Sequence, residues 1–194
     1  VELEALTAHW KFDGNTQNQA TYSSTALRNR IVLLGGSLIY EMEKCGHFET
    51  SVTARWPHHD ITFRNLGWPG DDVFGTARSE FGSAQNTRSW KPPGAVAGFG
   101  ASKRAEQLRA AKPTTLIVGY GAEAAWADTD QKMSEFQAGY LRLVDELEAT
   151  GARLILLTPI PHRASTGALP EPTDQNQRLN SAAKFILQTA VERG

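Results

Sequence analysis

The run Ile31-Val32-Leu33-Leu34, closed at once by Gly35-Gly36-Ser37, constrains this sequence more than any other feature. A short stretch that is apolar at every position suits a strand buried on both faces. Such strands belong to parallel sheets covered by helices on either side. Runs of the same size recur at 61–66, 115–119 and 153–158. Between them lie segments with helical spacing. One covers about 38–55, with Leu38, Met42, Cys45, Phe48 and Val52 on one face, and a second covers about 101–112. A third covers about 131–149, with Met133, Phe136, Tyr140, Val144 and Leu147 in phase and Gly151 beyond its end. The last covers about 173–192, with Leu179, Ala183, Ile186 and Ala190 in phase and Thr173 as the expected N-cap. Strands alternating with helices specify right-handed βαβ units. The expected fold is therefore α/β: one three-layer α/β/α sandwich on a parallel sheet.

The bulk numbers fit that expectation and remove several function classes. A chain of 194 residues can bury the core of one domain without disulfides or a structural metal. The formal net charge of -1 gives no reason to expect a nucleic-acid partner. No apolar run approaches the roughly 20 residues of a membrane span. The single cysteine, Cys45, excludes an intrachain disulfide and is expected to pack in the core or at its edge. Residues 1–29 are polar and turn-rich, with His9 to Phe12 alternating before Asp13-Gly14. They read as an N-terminal arm or linker, and 30–194 as the main domain. The stretch 82–100, rich in glycine and proline, reads as a long loop. The sequence fixes neither compartment nor oligomeric state. Its start at Val1 rather than Met is compatible with a removed export signal, which makes a secreted or periplasmic location the expectation.

In parallel sheets of this kind, ligands bind beyond the carboxyl ends of the strands. The residues just after each strand are thus the informative ones. Ser37 follows two glycines at a strand-to-helix turn, where a helix start favours developing negative charge on its hydroxyl. The competing reading makes Ser37 the N-cap of that helix. After the second strand, Gly67-Trp68-Pro69-Gly70 offers backbone N–H groups of the oxyanion-hole kind, and Asp71 and Asp72 are expected to cap the next helix. His162 follows the fourth strand and is the only histidine at the informative edge. His9, His47, His58 and His59 read as structural or solvent-facing. No two histidines stand at ligand spacing, so neither a metal nor another cofactor is expected.

Three blocks in order, Ile31 to Ile39 (IVLLGGSLI), Asn65 to Asp72 (NLGWPGDD) and Val118 to Trp126 (VGYGAEAAW), resemble the first three sequence blocks of the SGNH, or GDSL-type, hydrolases. The turn Leu157-Thr158-Pro159-Ile160-Pro161-His162 resembles that family's Pro-rich turn after the fourth strand, so the resemblance runs over about 30–194. It implies a flavodoxin-like sheet with Ser37 as nucleophile. It also implies an oxyanion hole drawn from Ser37 and Gly70, with Glu123 at the position of the family asparagine. By its place after the fourth strand His162 is the one local candidate for a substitute base, its alternative role being a substrate contact, and Trp68 is expected to contact substrate as well.

Two departures accompany the resemblance. Glutamate in place of the asparagine removes a donor worth about 3–4 kcal/mol to the transition state. When ionised it repels the oxyanion by about 4 kcal/mol at an effective dielectric near 20. Only a glutamate kept protonated by a dry pocket could stand in. The family's Asp-x-x-His block is also missing, and the chain stops where the last strand would follow, so a lost final strand is expected. The expected function is a serine esterase or deacylase acting on acyl esters of a carbohydrate or lipid, with a small-molecule or polysaccharide ester as partner. The alternative is a catalytically inactive domain of the same fold that binds a glycan or acyl ligand. A third reading makes the chain one module of a larger secreted protein.

Overall fold

The computed structural model describes residues 28–78, 99–164 and 170–194. Four strands form one all-parallel sheet: β1 (Asn29–Gly35), β2 (Ile61–Gly67), β3 (Thr115–Gly119) and β4 (Arg153–Leu156), in the spatial order β2-β1-β3-β4. Five α-helices accompany it: α1 (Ser37–Met42), α2 (His47–Arg55), α3 (Phe99–Ala111), α4 (Asp130–Glu148) and α5 (Thr173–Arg193). A short 3-10 turn, Ala122–Trp126, follows β3.

The run that is apolar on both faces explains the layering. Val32 and Leu34 of β1, with Leu116 and Val118 of β3, face a core completed by Leu108 of α3, Tyr140 and Leu143 of α4, and Ala182 and Ile186 of α5. The alternate residues Ile31, Leu33 and Ile117 face the other way. They meet Ile39 and Met42 of α1 and Phe48 and Val52 of α2. This is the expected three-layer α/β/α sandwich. Burying a leucine or isoleucine side chain of this kind contributes about 1.5–3 kcal/mol, so the central strand anchors both layers. The arm 1–29 and the loop 82–100 fall almost wholly outside the described residues.

Three local expectations are corrected. The helix read over 38–55 is two helices, broken where Gly46 adopts φ +59°. Cys45, beside that break, is exposed and does not pack in the core. Thr173 is the first residue of α5 rather than its cap; Pro172 holds the cap position without a side-chain bond. Asp71 and Asp72 open no helix. Asp71 is buried, and Asp72 Oδ1 accepts the N–H groups of Phe74 and Thr76 to close a turn.

The carboxyl rim of the sheet is flattened by glycine. Gly35 of β1 stands in register with Gly67 of β2 and with Gly119 of β3. A Cβ on Gly67 would lie 2.3 Å from Tyr40 N, and one on Gly119 would lie 2.7 Å from Ile39 Cγ1. Their bare backbones thus let α1 rest directly on the strand ends. Asn65 fastens it there: its Nδ2 donates to Ile39 O at 2.7 Å while its Oδ1 accepts from Gly67 N at 2.7 Å. Gly67→Ala is expected to destabilise the domain by about 2–3 kcal/mol or more, because the clash is with backbone that cannot rotate away. Urea unfolding measures this; a loss below about 0.5 kcal/mol would contradict the close approach.

Candidate active site

The tight turn at Gly36 leads from β1 into α1. Gly36 itself holds the cap position, and no side chain caps the helix. Ser37, the first helical residue, is therefore not an N-cap. Its exposed hydroxyl turns instead towards the loop after β2, where Oγ accepts the N–H of Gly70 at 3.0 Å. Gly70 can present that N–H because it sits at φ +69°, a conformation that strains any residue with a Cβ. The loop is pinned at its base by Trp68 N donating to Gly35 O at 3.0 Å and by Asp71 N donating to Trp68 O at 3.1 Å.

Ser37 and Gly70 line one cavity of about 390 Å³ at the carboxyl rim, together with Glu123, Trp126, Thr158 and His162. The segments that follow all four strands therefore meet at this cavity. His162 faces this cavity, whereas Trp68 does not. The Trp68 indole lies 6.0 Å from the Arg78 guanidinium and is not among the lining residues. No hydrogen bond joins the His162 imidazole to Ser37 Oγ among the described residues. Of the remaining histidines, His47, His58 and His59 are exposed, and His9 lies outside the described residues.

Glu123 is the chemically unusual member. Its Oε2 accepts from Gly121 N at 2.8 Å and its Oε1 from Val73 N at 3.1 Å. Burial pushes its carboxyl up to about 7; the two backbone donors oppose that rise, and the charge of nearby Asp72 adds to it. The sign of the pH effect follows. In the unfolded chain the group ionises near 4.5, and in the folded chain near 7. Between those values the native state binds the extra proton, so the stabilisation present at acid pH is lost as pH rises towards 7. The loss is at most about 3 kcal/mol. Urea unfolding at pH 5 and pH 8 is expected to show a drop of that sign that a Glu123→Gln variant lacks; parallel pH profiles would contradict it.

Several residues that build the site carry no motif. Asp71 Oδ2 accepts from Arg78 Nε at 2.7 Å and from the Tyr120 hydroxyl at 2.7 Å. Arg78 also donates to Gln107 Oε1 at 2.7 Å and to Leu66 O. Burial and the charge of Asp71 hold the Tyr120 hydroxyl well above its ordinary range, so it stays protonated as a donor. From α5, Asn176 clamps the loop bearing His162 in both directions: Oδ1 accepts His162 N at 2.7 Å and Nδ2 donates to His162 O at 2.9 Å. Arg178 Nε donates to Ala125 O at 2.8 Å, which ties the 3-10 turn to the same helix. Tyr120 and Asp71 are 49 residues apart and Arg178 and Ala125 are 53 apart, so spacing could not reveal these pairs.

Comparison with solved structures places this architecture. A catalytic mutant of an acetylxylan esterase from Geobacillus stearothermophilus superposes with a TM-score of 0.59 at 16% identity, over 85% of this chain and 73% of that one. TesA superposes with a TM-score of 0.55 at 13% identity, over 84% of this chain and 74% of its own. The fold is that of the SGNH esterases. A gut microbial diltiazem-metabolizing enzyme is similar as well, with a TM-score of 0.57 at 15% identity over 84% of this chain. This chain spans only 35% of that enzyme's length. No family model matches the sequence, and no curated protein does so. Among the described residues, no helix is long and apolar enough to cross a membrane, and no cluster of His, Cys, Asp and Glu could hold a metal ion.

Proposed function

We propose that the protein is a serine esterase or deacylase of the SGNH type that removes acyl groups from a carbohydrate or lipid ester. The observation that carries this reading is the Gly70 N–H directed at Ser37 Oγ, 3.0 Å away, across 33 residues of chain. A hydroxyl that caps nothing and faces a cavity beside a left-handed glycine N–H is arranged for attack on a carbonyl. Ser37 Oγ gives up its proton to a general base and adds to the ester carbon; the N–H groups of Ser37 and Gly70 receive the negative oxygen, and the intermediate collapses to an acyl-serine as the alcohol leaves with that proton. Glu123 stands at the third donor position, where only its protonated form helps. Water then hydrolyses the acyl-serine. The acetylxylan esterase among the structural neighbours makes acetylated sugars the first substrates to try.

Attack needs a base, and the resemblance assigns that role to an Asp-x-x-His pair that these 194 residues lack. The engagement of both Glu123 oxygens by backbone donors supports the second reading: an inactive domain that binds a glycan or acyl ligand. Steady-state hydrolysis of p-nitrophenyl acetate by this chain separates the two. Saturable turnover is expected for the esterase. Absence of turnover, with saturable binding of an acetylated oligosaccharide, would replace it with the binding reading.

A further inference from the structure

Trp126 lines the cavity that holds Ser37, yet the residue is 67% exposed. An indole left in water beside this cavity forgoes the burial that would ordinarily stabilise it. Its mounting is rigid. Ala124 and Ala125 before it are fully buried and Ala127 after it is nearly so. Ala124 N donates to Gly121 O at 3.1 Å, Ala127 N to Ala124 O at 3.1 Å, and Asp128 N to Trp126 O at 3.0 Å. Arg178 holds the Ala125 carbonyl from α5. The backbone that carries the indole is thus held in place, so the turn itself has little conformational freedom to lose on binding.

The rest of the lining defines what that face would meet. Polar groups come from Thr158, His162 and Glu123, and no lysine or arginine is among the lining residues. A lining that offers the Glu123 carboxyl and no lysine or arginine disfavours an anionic ligand such as a phosphate, a uronate or a free fatty acid. A ligand with one apolar face and hydroxyls around its edge fits better. A neutral pyranose ring has that form, its axial C–H groups meeting the negative face of an indole.

We infer that Trp126 is a specificity-determining residue that stacks on a neutral sugar ring of the substrate, so that the ester cleaved is borne by an uncharged oligosaccharide. This rests on the esterase reading for the word substrate, but the stacking itself does not need turnover. The test uses the full 194-residue chain carrying Ser37→Ala, titrated calorimetrically with acetylated xylotetraose and, separately, with decanoate. Binding of the oligosaccharide is expected. Adding Trp126→Ala should weaken it by about tenfold or more, and Trp126→Phe should restore most of the loss. In the active chain, Trp126→Ala should lower kcat/KM on acetylated xylotetraose at least about tenfold more than on p-nitrophenyl acetate. If no variant hydrolyses any ester but Trp126→Ala still abolishes oligosaccharide binding, the stacking role stands and the esterase reading falls. If Ser37-dependent hydrolysis is present while oligosaccharide affinity is indifferent to Trp126, the stacking role is overturned alone. Failure of the oligosaccharide to bind, or tighter binding of decanoate through Trp126, overturns it as well.

Discussion

Ser37→Ala is expected to reduce hydrolysis of p-nitrophenyl acetate to the background of the buffer, a loss on the order of 10³-fold or more for a nucleophile acting as one unit with its surroundings. The geometry singles out this residue. Its hydroxyl is exposed, caps no helix, and lies 3.0 Å from the Gly70 N–H in the cavity that also holds Glu123 and His162. The substitution removes one exposed oxygen and leaves α1 with a strong helix former, so the fold should survive. Unfolding midpoints of the two proteins should agree within about 0.5 kcal/mol. A stable Ser37→Ala protein with undiminished Ser37-independent turnover would place the chemistry elsewhere.

The second large effect concerns stability. Arg78→Ala is expected to cost about 3–5 kcal/mol, because it strands the carboxylate of Asp71 in the interior without its ion-pair partner. The side chains of Arg78 and Asp71 are 2% and 0% exposed, and they are joined at 2.7 Å. Asp71 Oδ1 already lacks a partner, so only Oδ2 carries the compensation, from Arg78 and from the Tyr120 hydroxyl. The same guanidinium reaches the Leu66 carbonyl at the end of β2 and Gln107 on α3. It thereby holds together the loops that follow β2 and β3. Asp71 adjoins Gly70, so loosening this network should also displace the N–H that faces Ser37. Equilibrium urea unfolding reads the stability, and the double variant Asp71→Leu with Arg78→Met should recover much of it, since a well-packed apolar pair avoids the desolvation penalty. A loss under about 1 kcal/mol for Arg78→Ala would mean that water reaches the pair.

How much of this was legible in the sequence depends on the range of the interaction. The central strands β1 and β3 show plainly because a parallel strand buried on both faces is apolar along its run, and Ile31 to Leu34 and Leu116 to Val118 are such runs, whereas β2 alternates with exposed Thr62 and Arg64. The meeting of Ser37 with Gly70 follows from topology, since β1 and β2 are parallel neighbours whose ends coincide in register. The break between α1 and α2 was hidden because Met42, Cys45, Phe48 and Val52 keep helical phase across it. Only the positive φ of Gly46 betrays it, and glycine is tolerated inside helical patterns as well. The role of Asp71 was misread because an acidic residue after a glycine turn is a good cap in most settings. Of its true partners, Arg78 comes from the same segment after β2, and Tyr120 is brought to it by the packing of the loop after β3. Asn176 and Arg178 escaped notice for the same reason: on a helical wheel they are polar residues near the start of α5, and their bonds to His162 and Ala125 arise from tertiary placement.

The glutamate at position 123 has a physical account that the motif comparison lacked. Its two oxygens serve backbone N–H groups of Gly121 and Val73, so it organises the turn after β3 as well as lining the cavity. Neutral and ionised forms coexist near pH 7, which makes the pocket's charge depend on pH in the range where an ester hydrolase would work.

Treatment of the 194-residue chain with a fluorophosphonate, followed by mass-spectrometric mapping of the adduct, probes the reactive hydroxyl itself. One phosphonyl group is expected, bound to the serine oxygen beside the Gly70 amide and absent from the Ser37→Ala protein. Labelling of a different residue, or an unlabelled Ser37 under conditions where the chain hydrolyses esters, would contradict the assignment of position 37 as nucleophile.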